Sequence, residues 1–286
     1  MKNAFIVKGE KYIRKDVKSL LLYYDYFSPG IQLPKIINFR IAKFLTHKLL
    51  RTVIVLMFIF KFYKMFLKEV LLDDDAILII KARGTLKNVV RLVESKRGYK
   101  VIKDMSNGNL NEEKFYKMYK KNHSKIFLPK SEFISKNVVR MEFIQQKTFH
   151  RLILEGRLSL QDSIEHFLKI KNQLKIIHKD NLQLIHGDFC PINILLNGDI
   201  YYAVDFSDAH QDNYKYDLYT LLYSILLTHR TIPIGTKSIA DINVDGRKVQ
   251  DLIGVNKKEL TSFEIRYEQR FQASEYIYEE EKYSFA

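Results

Sequence analysis

The chain has 286 residues, 47% of them hydrophobic and 28% charged, with a formal net charge of +14. These proportions supply a core for one large domain or two lobes and exclude extended disorder. The single cysteine, Cys190, excludes an internal disulfide framework and fits a reducing, cytoplasmic compartment, while the scattered histidines lack the spacing of zinc ligands.

The first residues show no long apolar core or small-residue cleavage site, so no signal peptide is expected. Residues 1–70 carry 14 Lys/Arg against 4 Asp/Glu, which concentrates the positive charge in the first quarter of the chain. The most hydrophobic run, Thr52 to Phe60, is far shorter than the roughly 20 residues of a bilayer-spanning helix. Lys61, Lys64 and Lys68 follow it among Phe62, Tyr63, Phe66 and Leu67. The pattern predicts a basic, partly amphipathic helix that either lies on an anionic membrane surface or packs on the main domain. Residues 1–75 are therefore expected to form a basic helical extension, ending where Asp73, Asp74 and Asp75 interrupt the pattern.

Beyond that point the period changes. Ala76 to Ile80, Val89 to Glu94 and Tyr99 to Lys103 read as three strands of an antiparallel meander, with turns at 81–88 and 95–98. Asn111 is expected to cap a helix with acidic Glu112 and Glu113 in its first turn and Phe115, Met118 and Tyr119 on one side. Strand-like text returns at 126–128, 132–134 and 138–144, so residues 76–144 form a small sheet-rich lobe. Ser159 with Asp162 opens a long helix whose buried stripe is Ile164, Phe167, Leu168, Leu174 and Ile177. Two short β-like runs flank Asn197-Gly198, a hairpin signal. Helices follow at about 216–227 and within 256–280, which makes residues 145–286 a mainly helical lobe.

Between the long helix and the hairpin lies His186-Gly187-Asp188-Phe189-Cys190-Pro191-Ile192-Asn193, with Asp205 ending the apolar run Ala203-Val204. Taken singly, Asp188 reads as a turn residue, Asn193 as a loop staple and Asp205 as a cap. Together and in order, they gather oxygen donors of the kind that Mg²⁺ prefers, supported by an apolar hairpin. Phosphoryl transfer from a nucleotide needs this: held phosphates, a bridging metal and an oriented acceptor hydroxyl.

This run, with Val204-Asp205-Phe206, resembles the catalytic and metal-binding segments of the aminoglycoside phosphotransferase and choline kinase group of the protein-kinase-like superfamily. The resemblance implies an α+β, two-lobed protein-kinase-like fold and an ATP- and Mg-dependent kinase. Asp188 would be the base or orienter of the acceptor, and His186 would brace the loop. Asn193 and Asp205 would hold magnesium, and Asp217 would support the loop from a helix. In the small lobe, Gly84 and Thr85 would lie in the phosphate-covering bend. Lys103 would reach the phosphates, because strand alternation puts it on one face with Val101 and its rival Lys100 on the other. Either Glu112 or Glu113 would hold Lys103, and the backbone at Glu142 and Phe143 would face adenine.

The compact layout and Val204-Asp205-Phe206-Ser207 are also similar to bacterial kinases of lipopolysaccharide-core heptose. That similarity implies a glycan or small-molecule acceptor and a place at the inner face of the cytoplasmic membrane, which the basic N-terminal region suits. The short stretch between Asp205 and Asp217 favours a non-protein acceptor over the alternative of an atypical small protein kinase. A second alternative, a binding scaffold of pseudokinase type, should lack Asp188, Asn193 or Asp205, and all three are present. No specific nucleic-acid partner is expected, since the basic residues do not interleave with aromatics on one sheet face.

Overall fold

Residues 3–8 and 11–14 form strands, the first around the apolar run Ala4-Phe5-Ile6-Val7. A computed structural model of the chain describes residues 3–8, 11–27, 49, 52, 53, 56, 68–72, 74–81, 88–96, 98–105, 113–116, 126–178 and 184–274. Strand β1 (Asn3–Lys8) pairs antiparallel with β2 (Lys11–Arg14), and on its other side with β3 (Lys68–Leu72). Strand β2 then pairs with β4 (Leu78–Lys81). The expectation of a wholly helical extension over residues 1–75 is thereby corrected. Phe5 and Ile6 are adjacent and face opposite sides of the sheet, and both are almost completely buried, as is Ile13 in β2, so the sheet is covered on both faces here. Helix does occur between β2 and β3. Asp16 caps α1 (Val17–Leu22) by accepting from the Ser19 amide at 2.7 Å, and α1 runs into a π-helical turn, Tyr23–Phe27. Thr52, Val53 and Leu56 of the expected basic helix are helical, as is Leu49 before it, while Phe62, Tyr63, Phe66 and Leu67 lie outside the described residues. Among the described residues no helix is long and apolar enough to cross a membrane.

The meander continues the same sheet: β4, β5 (Val89–Ser95) and β6 (Gly98–Asp104) are antiparallel neighbours. Strands β9 (Val138–Glu142) and β8 (Ser131–Ser135) complete it, in the order β3-β1-β2-β4-β5-β6-β9-β8. Register places Ile13, Leu78, Leu92 and Val101 in a row across four strands. Lys103 lies two residues beyond Val101, on the same face. Ile126–Phe127 (β7) was expected with this lobe, yet it pairs in parallel with β12 (Ile200–Ala203) of the other.

In the second lobe, α2 (Phe149–Leu154) is followed by α3 (Leu160–Ile177), where Ser159 and Asp162 form a reciprocal capping box. Strand β11 (Ile194–Asn197) turns into β12 with Gly198 at φ 59°, a left-handed conformation that suits glycine. Helices α4 (Lys215–Thr228), α5 (Val249–Ile253) and α6 (Lys257–Ser274) complete the lobe. Phe167, Ile170 and Leu174 of α3 and Leu218, Leu221, Leu222 and Ile225 of α4 are all fully buried in one cluster. Such side chains are each worth about 1.5–3 kcal/mol. The result is the two-lobed α+β arrangement of protein-kinase-like folds.

Two measurements check this architecture. Ile13→Ala should cost about 2–4 kcal/mol in urea unfolding, as for a buried core residue; a negligible loss would detach β2 from the sheet. His150 in α2, whose Nδ1 is 3.2 Å from Thr228 Oγ1, has its pKa pulled down to about 4 by burial, with the Arg151 charge adding to the effect. The unfolded imidazole, near 6.5, binds a proton that the folded one refuses, so this group destabilises the fold as pH falls from about 6.5 to 4. His150→Gln should flatten stability against pH in that window.

Candidate active site

The loop that carries Asp188 is held from three directions. Its entry strand β10 (Leu184–Ile185) pairs with β13 (His210–Gln211). His186 is fully buried, with its ring centroid 4.8 Å from that of Phe206 and 5.4 Å from that of Phe189. The Asp188 amide donates to His186 Nδ1 at 3.3 Å, and Nε2 lies 3.0 Å from the Val204 carbonyl. These partners together require the neutral tautomer protonated at Nε2. His186 thus ties the Asp188 loop to the strand end that delivers Asp205, from behind the site.

The Asp217 carboxylate, fully buried in the first turn of α4, accepts from the amides of His186 at 2.8 Å and Gly187 at 2.9 Å. An anion in the first turn also suits the positive end of the helix dipole. Gly187 has φ 81°, and a Cβ there would run into the Asp208 carbonyl oxygen and the His210 ring, so only glycine fits.

Pro191–Asn193 forms a 3₁₀ turn that folds Asn193 back onto Asp188. The Asn193 side-chain Nδ2 donates to the Asp188 carbonyl at 2.9 Å and to its Oδ2 at 3.0 Å. Asp188 keeps partial exposure, so its carboxylate is fixed yet reachable. Asp205 follows with φ 64°, a left-handed conformation uncommon outside glycine and frequent at functional turns. Lys103 Nζ reaches across from the sheet to donate to Asp205 Oδ1 at 3.0 Å and to Ser207 Oγ at 2.9 Å. Lys103 is 4% exposed and Asp205 56% exposed, so a buried cation meets an anion at the mouth of the cleft. The Lys103 charge, assisted by hydrogen bonds from Ser207 and Lys103, holds the Asp205 carboxyl well below the usual carboxylate range.

The sequence placed Lys103 rather than Lys100 in the cleft, and the contact with Asp205 puts it there; Lys100 lies opposite Glu142 on the other face. Glu142 and Phe143 line a cleft of about 400 Å³ with Tyr99, Gln146 and Tyr202. Glu113 lies in the helical turn 113–116, whose Phe115 stacks on Phe206 at 4.5 Å. Glu112, Gly84 and Thr85 lie outside the described residues. Sequence reasoning missed Ser207 as the hydroxyl bridging Lys103 and Asp205; its place two residues past a carboxylate was the available signal.

Among the described residues no three His, Cys, Asp or Glu gather as a metal cage. The donors present nevertheless fit a cation shared with a nucleotide. Asn193 commits its nitrogen to Asp188, which leaves its carbonyl oxygen as the metal-seeking atom, and Asp205 offers an exposed, ionised carboxylate. Magnesium bound there would supply charge neutralisation on the phosphates.

Because Asp217 satisfies two loop amides, Asp217→Ala should lower stability by about 2–4 kcal/mol in chemical unfolding and loosen the loop. An unchanged midpoint would show that the loop is held elsewhere.

Residues 86–221 match the family model described as RIO1: RIO domain, a stretch that includes Lys103, the Asp188 loop, Asp205 and Asp217. A comparison with curated proteins gave no match. The match lends no support to the aminoglycoside phosphotransferase, choline kinase or heptose kinase groups that the motifs resemble. What it supports, together with the two-lobed fold, is a place in the protein-kinase-like superfamily, with the likeness falling on its atypical RIO branch.

Proposed function

We propose that the chain transfers a phosphoryl group from Mg-ATP to a hydroxyl in the manner of an atypical kinase. The observation that carries this is the junction of Lys103 with Asp205 beside the Asp188–Asn193 pair. Lys103 brings a buried positive charge to the place where phosphates would lie. Asn193 holds Asp188 Oδ2, so the other carboxylate oxygen can orient the acceptor hydroxyl and take its proton. Asn193 and Asp205 would share the metal.

The RIO-domain match favours a protein hydroxyl as acceptor over the sugar expected from the heptose-kinase resemblance. A non-protein acceptor is the second reading, favoured by the short stretch between Asp205 and Asp217. Incubating the purified chain with labelled Mg-ATP and panels of proteins, glycolipids and aminoalcohols separates the two. Asp188→Asn should keep Mg-ATP affinity and fold while transfer falls by about 10²–10⁴-fold. Undiminished transfer would remove Asp188 from its role, and nucleotide binding without transfer by the wild type would favour the scaffold.

Contact with an anionic membrane is proposed for the basic first quarter, where the helical residues Leu49, Val53 and Leu56 are exposed at spacings of one face. Co-sedimentation with phosphatidylglycerol vesicles should be strong at low salt and weak at high salt. No binding at low salt would exclude it.

A further inference from the structure

The sheet face that carries Lys103 is shared between two occupants. At the Lys103 end, Val139 directly opposite is fully buried, while Val90, Val101 and Met141 on the same face keep partial exposure, as does Val204 beside Asp205. Toward the turn at Gly98, the same face is covered by the chain's own N-terminal segment. Tyr23, 6% exposed, is buried with Ile13, Leu78 and Leu92, and Leu22, Val101 and Phe143 pack against this cluster.

The segment is clamped at three further points. Lys18 Nζ bonds Glu94 Oε1 at 2.7 Å and lies 5.3 Å from the centre of the Tyr99 ring. The Tyr26 ring meets Phe143 edge-on at 5.4 Å, and Phe143 meets Tyr99 at 6.0 Å. On the large-lobe side, the Arg151 guanidinium lies over the Tyr24 ring at 4.7 Å. Arg151 is anchored by Glu155 at 2.9 Å, and Lys147 binds the same carboxylate at 2.6 Å. One short stretch therefore touches the sheet, the passage between lobes and the large-lobe helix α2. Its π-helical turn gathers Tyr23, Tyr24 and Tyr26 within a single turn, a distortion that recurs at functional sites.

We infer that Tyr23–Tyr26 is a built-in wall of the nucleotide site, with Tyr26 and Phe143 bounding the base at the open edge of the slot. The inference rests on the phosphotransferase reading and extends it to residues outside the stretch matched by the RIO domain. The segment borders the slot without filling it, since Val90 and Val101, on the face of Lys103, retain partial exposure. It also joins the lobes through Tyr24 and Arg151, so nucleotide contact at the base would be felt by both.

The test compares Mg-ATP with magnesium tripolyphosphate, which lacks a base, by calorimetry on the full chain. Tyr26→Ala should weaken Mg-ATP about fivefold to tenfold, the scale of one aromatic contact, and leave tripolyphosphate within about twofold. Tyr26→Phe should retain Mg-ATP affinity, and Lys103→Met should weaken both ligands. Unchanged Mg-ATP affinity in Tyr26→Ala overturns the inference. Tighter binding overturns it too, because the segment would then be a plug. Equal weakening of both ligands overturns it as a base contact and marks a structural role. Wild-type protein that binds neither ligand defeats the phosphotransferase reading and this inference together. Wild-type binding that Lys103→Met abolishes and Tyr26→Ala leaves untouched defeats this inference alone.

Discussion

A lysine ammonium that is almost completely removed from water has to be met by an anion, and Lys103 is met by Asp205. That requirement organises the molecule. Lys103 stands on the third strand of the meander, Asp205 at the end of a hairpin in the other lobe, and the contact works only if both lobes present these ends to one cleft. The sheet register sets the height of Lys103, and the left-handed backbone at Asp205 swings its carboxylate toward it. Ser207 closes the triangle by bonding both partners. The conformational cost at Asp205 is offset by charge and hydrogen bonds that no relaxed backbone would place as well.

The Asp188 loop depends on a second buried anion in the same way. Asp217 collects the amides of His186 and Gly187, and His186 passes that constraint to Val204, the residue before Asp205. The two halves of the site are therefore mechanically joined through one neutral imidazole inside an aromatic box of Phe115, Phe189 and Phe206. Aromatic packing in that box also reaches the helical turn 113–116, which links small-lobe geometry to the loop. Asp188, Asn193, Lys103 and Asp205 meet at the cleft, while His186, Gly187 and Asp217 hold the loop and strand end behind them.

Local features were legible because their causes are local. The Ser159–Asp162 capping box, the Asn197-Gly198 hairpin and the alternation that turns Lys103 inward each follow from a few adjacent residues. The order of Asp188, Asn193 and Asp205 is legible for a similar reason, since a short loop and a hairpin can bring such spacings together, whereas Asp217 was indicated only by the family resemblance. The extension over residues 1–75 was misread because an apolar, basic run dominated its composition. Its strands are short, and they find their partners across a long separation. Strand β7 likewise left the lobe suggested by its place in the chain, because parallel pairing with β12 buries Ile126 beside Tyr201.

The sequence alone determined the sheet-rich and helical halves of an α+β chain and the order of Asp188, Asn193 and Asp205 along it. These rest on periodicity and short-range spacing, while the two-lobed kinase-like arrangement was what the family resemblance implied. Only the tertiary structure decided which groups actually meet: Lys103 with Asp205 and Ser207, Asp217 with two loop amides, Tyr24 with Arg151. Those contacts join residues that are distant in the chain. Their geometry is set by sheet register and core packing, which no window of adjacent residues contains.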